Sequence, residues 1–176
     1  MQLRADIQLQ TAIRALTEVV APALDAGNAL AVEQLQIVIG MLHLMATRLP
    51  LQFRYDCDEL ARLLEFCRAL TADIDDDAHG EAICTLGGAS TEGAAILARA
   101  QADPAEILRA IRDLRTFSGA LITAVYRNGS AAARTHITGL VLAHADQQLL
   151  RERAWVAPQG WETQPEELPA ITDLLK

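Results

Sequence analysis

Apolar residues return every three or four positions along most of the chain, and the elements this spacing predicts are helices. Leu3, Ile7, Ile13, Leu16 and Val20 form one stripe, which predicts a first helix over 3–24. The turn-forming cluster Asp25, Ala26, Gly27 and Asn28 closes it. A second helix is expected over 29–49. Its Leu35, Ile37, Val38, Ile39, Met41, Leu42, Leu44 and Met45 leave almost no polar face. A helix apolar all round needs cover on several sides, so this one is expected at the centre of a bundle. Gly40 would allow a neighbour to approach closely, and Pro50 should end the element.

A third helix is expected to start near Asp56, with Asp56 and Glu59 as a capping box. Leu60, Leu63, Leu64, Cys67 and Leu70 carry its inner stripe, and the acidic run 73–80 ends it. Gly87 and Gly88 suggest a turn before a short helix over 91–101. Asp103-Pro104-Ala105-Glu106 combines a cap, a proline at the first helical position and a glutamate at the third. The helix it opens turns Ile107, Ile111, Leu114, Leu121 and Val125 inward and stops at Asn128-Gly129. Ser130 caps a last long helix, with Ile137, Leu140, Val141 and His144 inward, running to about Trp155. The expected architecture is therefore an all-α, single-domain bundle of five to six helices over 1–155. Residues 156–176 form a tail rich in proline; Trp155 lies at the helix end just before it and Trp161 within it. A tryptophan usually anchors on something, so the tail is expected to pack on the bundle or on a second subunit.

Composition sharpens this picture. The chain has 176 residues, 51% of them hydrophobic but only 4% aromatic, a palette that favours helices over sheets. Its formal net charge of −8 argues against a nucleic-acid partner. Cys57, Cys67 and Cys84 show no CxxC spacing, which disfavours a disulfide scaffold or a four-thiolate zinc site. The opening residues lack the basic start and apolar core of a signal peptide. The most apolar stretch, 37–45, is far shorter than the roughly 20 residues needed to cross a bilayer. A soluble protein of the cytoplasm, without membrane insertion, is the expectation.

Catalytic signatures fail one by one. The acidic run from Asp73 has Ala78 and Cys84 where a calcium loop needs glycine and glutamate, which leaves cation binding over 73–81 a weak reading. Gly87 and Gly88 lack the lysine of a phosphate-binding loop, since Lys176 is the single lysine of the chain. No histidine has a glutamate three residues before it, which argues against a di-iron bundle, and no cofactor is implied. Two groups remain as candidate ligand-binding residues. His43, in the helix expected to be most buried, would be the polar group of an interhelical pocket together with His136 or His144. Arg109, Arg112 and Arg115 fall at three-residue steps on one helix and could hold an acidic group. The leading expectation is a non-enzymatic interaction or accessory protein forming a homodimer, with a further protein partner open. The alternative is a binding protein or enzyme for an apolar or acyl-type small molecule.

Overall fold

The computed structural model describes residues 4–72, 74 and 76–175, the side chains of 76–78 excepted. Leu3, Asp73 and Asp75, which entered the expectations above, lie outside the described residues. The fold is all-α, and no strand occurs among the described residues. Helix α1 (Ala5–Ala15) continues through a π-helical turn over Leu16–Val20 into α2 (Ala21–Ala23). The longer elements follow as α3 (Ala29–Arg48), α4 (Gln52–Ala72), α5 (Asp76–Leu97), α6 (Pro104–Asn128) and α7 (Ala131–Val156). A short α8 (Ile171–Leu174) closes the chain.

Local capping chemistry explains several boundaries. The Asn28 side chain accepts a hydrogen bond from the Ala31 amide at 3.1 Å and opens α3. Asp103 accepts from the Ala105 amide at 2.8 Å with Pro104 behind it, and the Ser130 hydroxyl accepts from the Ala133 amide at 3.1 Å. Both caps match the sequence expectation, as does the end of α6 at Asn128.

One expected boundary holds and one expected break is absent. Helix α3 ends at Arg48, just before Pro50, and a 3-10 turn over Leu49–Leu51 precedes α4. In the first turn of a new helical segment the missing proline N–H leaves no bond unmade. Consequently α4 starts at Gln52, and Asp56 and Glu59 lie inside it as buried residues rather than as a capping box. The absent break is at Gly87 and Gly88, which make no turn; both sit within α5. The hydroxyls nearby turn back onto their own helix, Ser90 donating to the Leu86 carbonyl at 2.8 Å and Thr91 to that of Gly87 at 2.9 Å. Helical continuity is supported by packing at Gly93. A Cβ there would lie 3.4 Å from Leu64, 3.5 Å from Leu60 and 3.6 Å from Leu114, so the glycine marks close approach to α4 and α6.

The chain divides into two compact units. The second comprises Phe53–Leu150 and the residues from Thr172 on. It holds the main core, where Leu60, Leu70, Leu86, Ile107, Leu114, Leu121 and Ile137 are wholly inaccessible. Breaking any of these by a change to alanine would cost about 2–5 kcal/mol. The first unit comprises the chain up to Gln52 together with Arg151–Ile171. Its buried apolar residues, among those described, are Ile13, Ile39, Ala154 and Ile171. This is a thin core, and it contains α3.

The expected position of α3 is therefore corrected. Only Ile39 of this helix is buried. The central helices of the main core are α4 and α6, whose inner stripes are apolar at regular spacing.

Candidate interaction surface

At about 100° per residue, α3 resolves into three faces. Val32, Leu35, Ile39 and Leu42 lie on one, where all but the buried Ile39 are half-buried. Both α1 and the 3-10 turn over Ala157–Gln159 pack against this helix. A narrow polar face holds Glu33, Gln36, His43 and Thr47, all exposed. The third face is apolar and open. Leu30, Ile37, Val38, Met41 and Met45 share an arc of about 100° with Gln34 between them. Leu30 is 67% exposed, Met41 51% and Met45 55%.

The charge at the end of this stripe is drawn aside. Arg48 donates from Nε to the Trp155 carbonyl at 2.8 Å and from Nη2 to that of Ala154 at 3.0 Å. Its guanidinium lies 5.5 Å from the centre of the Trp155 ring, in cation–π contact. Burial lowers the Arg48 pKa from its ordinary value. Thus one of the two tail tryptophans is held within its own unit, as a packing surface for Arg48.

Trp161 behaves differently, being 72% exposed. It is nonetheless held in place. Gly160 adopts φ +76°, a left-handed conformation that favours glycine, and its amide donates to the Ala157 carbonyl at 3.1 Å. On the other side, Glu162 accepts two hydrogen bonds from Arg153, each 2.9 Å long. That bidentate pair holds the Glu162 carboxyl below its usual range and raises the Arg153 pKa. Trp161 then forms, with Gln36, Ile37, Gly40, Met41 and Gln159, the wall of a groove of about 210 Å³. The tryptophan is contiguous with the open face of α3.

The residues expected to bind a ligand are not assembled in this way. His43 is exposed on the polar face of α3 rather than buried in a central helix. It belongs to the first unit, whereas His136 and His144 lie in the second. His136 is exposed. His144 is half-buried and stacks on Phe66 with ring centres 4.3 Å apart. The groove beside that pair, which also includes Arg62, Leu140 and Gln147, measures only about 150 Å³. Of the arginine row, Arg109 lies 3.9 Å from Glu106, and Arg115 is hydrogen-bonded to Glu59. Arg112 is exposed on the same helix. Two of the three guanidinium groups thus face carboxylates of their own chain.

Asp56 and Glu59, expected as a capping box, are buried, as are Asp58 and Arg151, which the spacing did not single out. The Asp58 carboxylate accepts from Arg62 Nε at 2.8 Å, and Arg62 Nη2 donates to the Leu174 carbonyl at 2.7 Å. Arg54 donates to the Leu175 carbonyl at 2.6 Å. Only the Asp58–Arg62 pair, four residues apart on a helix, was legible beforehand. These contacts hold Leu174 and Leu175 on α4.

No group of three or more potential metal ligands occurs among the described residues. Among the described residues one helical run, Ala29–Ala72, is long and apolar enough, by length and composition, to cross a membrane. No family model matches the chain, and neither a curated protein nor a solved structure matches it.

Proposed function

We propose that this chain is a non-enzymatic helical interaction protein that works as a homodimer. The observation that supports the reading is the open apolar face of α3, flanked by an exposed tryptophan, in a unit with only four buried apolar residues among those described. An apolar surface of this extent is stable in water mainly when another surface covers it. Carboxylates paired with arginines and histidines dispersed between the two units offer no reactive set of comparable coherence. Sedimentation equilibrium of the full chain tests the reading: a two-subunit mass at micromolar concentration is expected, and a strict monomer would overturn it.

A second reading, an apolar small-molecule site, has one observation in its favour. A groove of about 360 Å³, lined by Glu81, Ala82, Thr85, Phe117, Ala120 and Ala124, lies within the size range of ligand pockets. Native mass spectrometry distinguishes the two, since a retained ligand adds mass to each subunit and a dimer doubles it.

A further inference from the structure

Resting on the homodimer reading, we infer that the dimer is isologous, with α3 packed against α3 of a second copy and Trp161 of each as its anchoring residue. Size is the first argument. At their observed exposures, complete coverage of Leu30, Ile37, Val38, Met41, Met45 and Trp161 would remove roughly 650 Å² per copy, or about 1,300 Å² for the pair, at the lower end of the span of stable interfaces. The stripe without Trp161 would fall short of that span, so the tryptophan is needed to reach it.

Pre-organisation is the second argument. An exposed tryptophan on a loose tail would lose freedom on binding, but Trp161 stands between the left-handed Gly160 and the Arg153–Glu162 fork. Its backbone is set before a partner arrives, which lowers the entropic cost of association. Tryptophan is also the residue type most enriched where interfaces concentrate their energy.

Charge on this face does not oppose a second copy. The open face of α3 carries no ionised side chain to choose a partner by sign, because Arg48 is turned onto Trp155. Two copies, each with net charge −8, meet most favourably on the surface where that charge is least. A two-fold axis across the stripe brings identical apolar residues together, the self-complementarity an isologous contact requires.

The experiment is sedimentation equilibrium of the full chain and of two variants, Met41→Glu and Trp161→Ala, with circular dichroism to confirm unchanged helicity. Both residues are more than half exposed, so neither change disturbs the core. Met41→Glu should remain monomeric at every concentration at which the unaltered chain pairs. Trp161→Ala should raise the dimer dissociation constant at least about 30-fold. In a Trp155→Phe background, Trp161 emission should shift to the blue as the concentration rises. If the unaltered chain is dimeric and both variants pair equally well, the interface lies elsewhere: this inference fails while the homodimer reading stands. A chain that is monomeric throughout overturns both. Recovery solely in detergent or lipid particles, with one chain in each, makes a bilayer the occupant of the stripe and also overturns the inference.

Discussion

Cys67 shows how burial governs the chemistry of a single side chain. It lies in the main core at 1% exposure, and burial pushes its thiol up to about 11. Cys57 is half-buried, and its pKa is raised by desolvation and then by the charge of Asp56, whereas Cys84 is exposed. A thiol-reactive chromophore should therefore label Cys84 first, and Cys84→Ser should remove the fast phase. The raised Cys67 pKa also has a sign. The unfolded thiol ionises near 9 while the folded one stays protonated, so the stabilisation is complete below pH 9 and is lost as pH rises towards about 11. Denaturant titrations across that window should show a decline that Cys67→Ala lessens. Arg62 tests burial of the opposite kind. Its removal in Arg62→Ala leaves the fully buried Asp58 carboxylate without this partner and frees the Leu174 carbonyl. A loss of about 3 kcal/mol in unfolding free energy is expected.

Among the elements, the boundary between α6 and α7 is the most sharply specified. The Gly129 amide donates to the Val125 carbonyl at 2.7 Å, closing α6, and Ser130 caps the helix that follows. A Cβ at Gly129 would lie 2.6 Å from the Val125 carbonyl oxygen, with no flexible side chain to yield. Gly129→Ala should therefore destabilise the fold by about 1–3 kcal/mol, measured by thermal or urea unfolding. Elsewhere the local signals were poorer guides. The Gly87-Gly88 pair is a helix breaker by propensity, yet it lies within α5. Propensity amounts to about 1 kcal/mol for a glycine, and a packed apolar face outweighs it easily.

Across the whole molecule, the two units differ in how much apolar surface they bury. Amides of α4 and α6 should exchange hydrogen for deuterium far more slowly than those of α1, whose single buried residue is Ile13. Net charge adds a second expectation. Two chains of −8 repel at long range, so raising ionic strength from about 0.01 M to 0.15 M should tighten the proposed dimer. A dimer weakened by salt would instead point to an interface built on ion pairs.

Helical periodicity alone determined the all-α class, the stripes of α4 and α6, and the caps at Asp103 and Ser130. These depend on contacts within a few residues or on which side of one helix is apolar, and spacing records both. Tertiary structure alone decided where α3 lies, that Asp56 and Glu59 are buried within a helix, and that His43 faces outward. The physical reason is that hydropathy measures how strongly a surface avoids water without saying what covers it. The apolar character of α3 was legible at once, and the tail tryptophans were marked as anchors. That the stripe from Leu30 to Met45 faces outward beside Trp161 depended on how many neighbours the rest of the chain could supply.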